Sequence, residues 1–174
     1  LQEAHQLDAV YFVPTNINPL KAHILEESVH RVRMLQIALQ GTGFAIKTLE
    51  LERPAPSYMI DTVKILMAQE EAHYFLLMGT DLLQEITQWR SYRELFDLAP
   101  PLIAARDMQS INNAQWQHDV ELKKLIESGI TNTPLFDISS TSVRHRLVQG
   151  LFCGHLLDRG VYQYIKQHRL YGCS

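Results

Sequence analysis

Five short apolar runs, each followed by a stretch with apolar residues at helical spacing, restrict this chain to few folds. The runs are Ala9–Val13, Phe44–Leu51, His73–Met78, Pro101–Ala105 and Pro134–Ile138. Strands that alternate with helices belong to a parallel sheet, because parallel neighbours need a crossover and a helix is the usual one. The expected fold class is α/β, a parallel sheet flanked by helices, in a single domain over residues 1–174. Ligands of such sheets collect beyond the carboxyl ends of the strands. That rule singles out Lys21, the turn at Ser57, the segment Gly79–Asp81, Arg106 and the turn at Ser139.

The last of these positions is the most informative. The chain passes abruptly from Phe136-Asp137-Ile138 to Ser139-Ser140-Thr141-Ser142, and Val143, Leu147 and Val148 then share one helical face that Gly150 ends. Unpaired N–H groups, hydroxyls and the positive end of the helix dipole meet in the first turn, which favours an anion there. Arg144 follows Ser140 by one turn and can point at the same anion. Alone, such a run would be an N-cap followed by a solvated arginine. Its place after the last strand of an alternating chain points instead to a phosphate site.

The other junctions repeat the pattern less strongly. Ala9–Val13 reads as a strand buried on both faces and closed by Pro14. Lys21 is the only cation of long reach in the loop that follows. Ser28 reads as the N-cap of a helix carrying Val29, Val32, Leu35 and Leu39, with Gly41 as its stop. Arg31 and Arg33 lie on different faces of that helix, so at most one should serve a site. Arg53-Pro54-Ala55-Pro56 reads as rigid and extended. Ser57 should cap a second helix that turns Ile60, Val63, Leu66 and Met67 inward, with Tyr58 beside its free N–H groups. After Met78, Gly79 permits close approach of a ligand and Asp81 can accept from ribose hydroxyls. Trp89 stands between Gln88 and Arg90, just before a capping box at Ser91 and Glu94. A tryptophan at a polar loop position suits a stacking platform. Trp116, among Asn and Gln residues, receives no role. Asp107 to Gln117 reads as a mobile loop, Val120 to Gly129 as a helix, and Asp158 as the cap of a last helix with Val161, Tyr164 and Ile165.

Composition removes other functions. With 46% hydrophobic and 20% charged residues and a net charge of −3, the chain has no basic tract for nucleic acid. No apolar run has membrane-spanning length and no signal-peptide pattern is present, so cytosol is the expected compartment. Cys153 and Cys173 form no C-x-x-C motif and read as reduced, structural thiols. Leu1, Ala4 and Leu7 resemble the last turns of a helix that begins before Leu1.

Taken together, several motifs carry a family resemblance. Asn18-Pro19-Leu20-Lys21, His30-Arg31 with Met34-Leu35, and Glu50-Leu51 with Arg53-Pro54, Pro56-Ser57-Tyr58 and Asp61-Thr62 come first. Gly79 and Asp81 with Trp89, then Ile138-Ser139-Ser140-Thr141 with Val143-Arg144, complete the set, and Val161, Tyr164-Ile165, His168 and Leu170-Tyr171 fit as well. In this order, from about Ala9 to Tyr171, they resemble the bacterial nicotinate-nucleotide adenylyltransferases. The resemblance implies a Rossmann-like nucleotidylyltransferase fold and transfer of AMP from ATP to nicotinate mononucleotide, with release of pyrophosphate, in NAD synthesis. It implies that Ser139, Ser140, Thr141 and Arg144 hold ATP phosphates and that Gly79 and Asp81 contact the ribose. Ser57 and the N–H groups around Tyr58 and Met59 would take the nicotinate carboxylate, Trp89 would stack on the pyridine, and Lys21 would help neutralise phosphate. Arg31 and Arg106 receive no firm role. Mg²⁺ would enter bound through ATP, with no metal site of the protein's own and no tightly bound organic cofactor. No nucleic-acid or membrane partner is implied, and a homo-oligomer stays open.

The sequence also departs from the family. The glycine-rich turn with its H-x-G-H, expected after a first strand ahead of Leu7, does not occur in residues 1–174. Gly154-His155 resembles it only superficially, since Phe152 holds the place of the first histidine. Leu20 stands where the family has histidine, Met59 where it has threonine, and Arg106 lacks a following Pro-Gly. The expectation is a chain that is inactive by itself, whose folded form carries a further N-terminal segment between the strands at Val10 and Leu76. Two alternatives remain open at this point, a pantetheine-phosphate adenylyltransferase and a catalytically silent nucleotide-binding module. Ser57-Tyr58, Asp61-Thr62 and Trp89 argue against the first.

Overall fold

The computed structural model describes residues 1–20, 26–105, 115–134 and 138–173, so Lys21, Arg106 and most of the expected loop from Asp107 lie outside the described residues. The chain divides into two compact units, one made of Leu1–Asp8 and Ser57–Phe136, the other of Ala9–Pro56 and Asp137–Ser174. All described strand pairs are parallel, as the alternation of strands and helices requires.

In the first unit, β3 (Leu76–Gly79), β4 (Pro101–Ala105) and β5 (Ile130–Asn132) form a sheet in that order. β4 is its centre, with Pro101, Leu102 and Ile103 buried. Helices α2 (Met59–Gln69), α3 (Tyr92–Leu98) and α4 (Val120–Gly129) belong to the same unit. Ile60 and Val63 of α2, Leu95 and Phe96 of α3, and Leu122 and Ile126 of α4 join Met78 and Ile103 in one core. Each large apolar side chain removed from water there contributes roughly 1.5–3 kcal/mol. Trp116 belongs to this core. It is 2% exposed, in a 3₁₀ turn (Gln115–His118), and its Nε1 donates to the Leu83 carbonyl at 2.7 Å. Burial of an indole is tolerable because its one N–H finds that acceptor.

In the second unit, β1 (Tyr11–Phe12) pairs with β2 (Ala45–Ile46), and among the described residues neither has another partner. Helices α1 (Ser28–Ala38), α5 (Ser140–Val148) and α6 (Arg159–His168) complete it. Val143 and Leu147 of α5, Val161 and Ile165 of α6, Leu170, and the free thiols Cys153 and Cys173 form its core, with Met34 and Ile37 of α1 packed against them.

Several expectations need correction. β1 is half-buried rather than buried, and Phe44–Leu51 contributes only the two residues of β2 before a turn in which Leu51 N donates to Thr48 O. Arg53 to Pro56 bends, with a cis Ala55–Pro56 peptide, instead of running extended. The fifth strand is Ile130–Asn132, directly after α4, whereas Pro134 and Ile138 are in no strand and residues 135–137 lie outside the described set. Register against β4 decides this, through Ile103 with Ile130 and Ala105 with Asn132. Residues 1–7 form hydrogen-bonded turns and no regular helix. Ser28 begins α1 but Glu27 is its cap residue, and Tyr58 rather than Ser57 precedes α2. Ser91 is left-handed, at φ 51°, so its hydroxyl makes no cap bond, and Glu94 pairs with Lys64 at 2.6 Å instead. Val29, Met67 and Val148, each placed on a core face by periodicity, are exposed. Among the described residues no helix is long and apolar enough to cross a membrane.

Gly129 does more than stop α4. It is buried, and a Cβ built there would overlap the Pro101 carbonyl oxygen at the start of β4. Only a glycine lets helix and strand approach so closely. Gly129→Ala should lower stability by about 1–3 kcal/mol through forced backbone movement, read as a fall in the urea midpoint at unchanged slope.

Candidate functional site

Two helix N-termini carry the candidate residues, one in each unit. In the second unit, Ser139 has β-region dihedrals (φ −107°, ψ 139°) and its Oγ accepts from Ser142 N at 3.1 Å. It is therefore the N-cap that the sequence implied. Ser140 and Thr141 form the exposed first turn, where backbone N–H groups have no carbonyl one turn back. Arg144 is half-buried, and its Nη2 donates to Thr141 Oγ1 at 3.2 Å, so its guanidinium lies at the open end of α5.

The C-terminal turn Leu170–Gly172 brings further charge to this place. Tyr171 N donates to a Glu26 carboxylate oxygen. The Tyr171 phenol titrates above its ordinary value, first because of burial and then because of Glu26, while Arg144 and Arg31 pull it down. Arg31 and Arg144 thus share the surroundings of one tyrosine, although 113 positions separate them in the chain (144 less 31). Arg31 is half-buried and its Nε is a buried donor with no acceptor among the described residues, whereas Arg33 is exposed and donates to Gln36. Nothing in the sequence marked Glu26 or this convergence.

In the first unit, the N-terminus of α2 has Tyr58 as a cap residue whose side chain makes no cap bond. Geometry leaves the N–H groups of Tyr58, Met59 and Ile60 without helical acceptors. Ser57, 8% exposed, has an Oγ with no partner among the described residues. Trp89 follows a 3₁₀ turn (Ile86–Gln88) and is half-buried, packed with Tyr58 and Met59 against the core. Its neighbour Arg90 stands over the Tyr58 ring, 4.7 Å from the centroid, and 3.6 Å from Asp61 Oδ2. Gly79 ends β3 with φ −91°, an ordinary value, so its use is the absence of a side chain. Asp81 lies exposed in the next 3₁₀ turn, Thr80–Gln84, without a hydrogen bond or ion pair to other described residues. No cluster of three His, Cys, Asp or Glu side chains among the described residues could cage a metal.

This arrangement, parallel strands with anion-seeking helix starts, matches a known family. The cytidylyltransferase-like family pattern covers residues 1–146. The chain belongs to that family. Its curated relatives include a protein of Clavibacter michiganensis subsp. michiganensis, 32% identical over 174 residues, with 98% of this chain and 82% of that protein covered. Another is from Geobacillus kaustophilus, 31% identical over 98% of this chain and 75% of that protein. A third, from Oceanobacillus iheyensis, is 28% identical over 99% of this chain and 85% of that protein. All three are named as probable nicotinate-nucleotide adenylyltransferases. Among solved structures, the Plasmodium falciparum nicotinic acid mononucleotide adenylyltransferase complexed with NaAD superposes with a TM-score of 0.75 at 18% identity, covering 100% of this chain and 89% of that one. That likeness shows the family's fold in this chain.

Because the folded pKa of Tyr171 is raised, its contribution to stability is complete below the ordinary value of 10.0 and is lost as pH rises through the higher folded value. Tyr171→Phe should therefore lose less stability than the wild type over that alkaline interval, measured as urea midpoints against pH. Arg144→Ala should move the Tyr171 titration further up, because a cation that favours the phenolate is removed.

Proposed function

We propose that this chain transfers the adenylyl group of ATP to nicotinate mononucleotide in NAD synthesis. The observation that carries this reading is 32% identity over 98% of the chain to a relative named for that activity. The two helix starts give it a physical basis, since ATP and a pyridine carboxylate are both anions.

A phosphate oxygen of the mononucleotide attacks the α-phosphorus of ATP. The bond from that phosphorus to the oxygen bridging to the β-phosphate breaks, and pyrophosphate leaves with the electron pair. No covalent enzyme intermediate is required, so the protein's part is positioning and charge stabilisation. Ser139, Ser140, Thr141 and Arg144 hold the ATP phosphates, and Arg31 is a second guanidinium that acts on Tyr171 as Arg144 does. Gly79 leaves room for the nucleotide and Asp81 accepts from ribose hydroxyls. Ser57 and the N–H groups of Tyr58 and Met59 bind the carboxylate, and Trp89 stacks on the pyridine. Lys21 adds a phosphate-neutralising cation, and Arg106 has no assigned part. Mg²⁺ enters as the ATP complex, as part of the substrate.

Calorimetric titration with ATP and with nicotinate mononucleotide, beside a pyrophosphate-release assay, tests this reading. Absence of mononucleotide binding overturns the function. Trp89→Ala should weaken mononucleotide binding by about 1 kcal/mol while ATP binding holds. Arg144→Ala should instead cost ATP about 1.5–3 kcal/mol. Equal loss of both ligands in either variant would refute that residue's role.

A further inference from the structure

We infer that Glu26 is a positioning residue for the phosphate site at the start of α5, acting through the carboxyl-terminal turn, an inference that rests on placing ATP at that helix start. The Glu26 carboxylate accepts from Tyr171 N and so ties the chain just ahead of α1 to the turn Leu170–Gly172, across 145 positions. The tie matters because the first half of α1 has no apolar anchor. None of the residues of α1 is fully buried, and Val29 is 61% exposed. Met34 and Ile37, which pack against the core, come later in the helix. Glu27, the cap residue, makes no side-chain cap bond. Among the described residues, polar contacts to the carboxyl-terminal segment hold the part before Met34. One is Glu26 with Tyr171 N, and the other is His30, whose Nδ1 lies 2.9 Å from the Tyr164 hydroxyl.

The receiving turn is firm. Leu170 and Cys173 are buried in the core of this unit, Cys173 N donates to Leu170 O, and a Cβ built on Gly172 would touch Val148 of α5 at 3.6 Å. Tyr171 is held at φ 56°, a left-handed conformation that a residue with a side chain keeps only where its surroundings enforce it. A charge-assisted bond from its N–H to Glu26 is such a restraint. Without the carboxylate the turn can relax, and the phenol moves with it. That phenol lies in the field of Glu26, Arg144 and Arg31, so its place sets part of the electrostatic surroundings of Arg144. Arg144 is the residue whose guanidinium reaches the open first turn of α5, through Thr141 Oγ1. Glu26 thus restrains the turn and supplies the carboxylate among the charges that act on its phenol.

Calorimetric titration of the chain with ATP and with nicotinate mononucleotide tests the assignment. Glu26→Ala should weaken ATP binding about fivefold, less than direct loss of a charge-assisted hydrogen bond because Arg144 is displaced and not removed, while nicotinate mononucleotide binding holds. Glu26→Gln should restore most of the loss, since its amide oxygen still accepts from Tyr171 N. In Arg144→Ala, adding Glu26→Ala should cost ATP nothing further, because the positioned residue is gone. A tyrosinate absorbance titration, taken as the difference from Tyr171→Phe, reads the contact itself. Tyr171 should ionise at lower pH in Glu26→Gln, where no carboxylate opposes the phenolate. Unchanged ATP affinity in Glu26→Ala, equal loss of both ligands, full additivity with Arg144→Ala, or an unshifted Tyr171 titration would overturn the assignment and leave the ATP site standing. Failure of the wild type to bind ATP would instead remove that site, and this assignment with it.

Discussion

A helix cannot satisfy the N–H groups of its own first turn, and the function proposed here depends on that constraint. At α5 the Ser139 hydroxyl accepts from the N–H of Ser142, and the first-turn donors before it have no acceptor among the described residues. At α2 the Tyr58 side chain makes no cap bond, and the neighbouring Ser57 hydroxyl is buried without an acceptor among the described residues. A chain selected for stability alone would close both turns, since a cap is worth about 0.5–2 kcal/mol. Leaving donors open is reasonable where an anion supplies the missing acceptor.

Each helix start is useful only if its surroundings are rigid. In the first unit, Ile103 of β4 is fully buried, and Trp116 fastens the turn after β3 through its bond to the Leu83 carbonyl. Asp119 caps α4 by accepting from Leu122 N, a bond that also holds its carboxyl below the ordinary range. In the second unit, α5 is anchored by Val143 and Leu147, so that Arg144, the residue between them in the chain's next register, is set at the edge of the core. The guanidinium can then meet Thr141 without the whole side chain having to be ordered from solution.

Local chemistry was legible in the sequence. β4 over Pro101–Ala105 and α4 over Val120–Gly129 fall where the apolar pattern put them. Ser139 and Asp158 cap their helices as expected, because a cap needs only a short polar side chain ahead of a helical stretch. The alternation of runs gave parallel pairing, and the ordered motifs gave the family. These are properties of neighbouring residues or of their order, and a linear text records both.

What needed the tertiary structure was every property that depends on a residue far away. The strand at Ile130 was decided by pairing with β4, and the failure of the Ser91 cap by a left-handed dihedral imposed at the end of a tight turn. Periodicity placed Val29, Met67 and Val148 on apolar faces, but only the neighbours present in space decide which edge of such a face is covered. Arg90 reaches Tyr58 across 32 positions (90 less 58), and Arg31 and Arg144, far apart in the chain, both act on Tyr171. The sequence by itself determined which segments could form strands, helices and anion-seeking turns. Only the folded chain decided which side chains stand together at those turns, because charge and stacking act through space and sequence distance does not measure it.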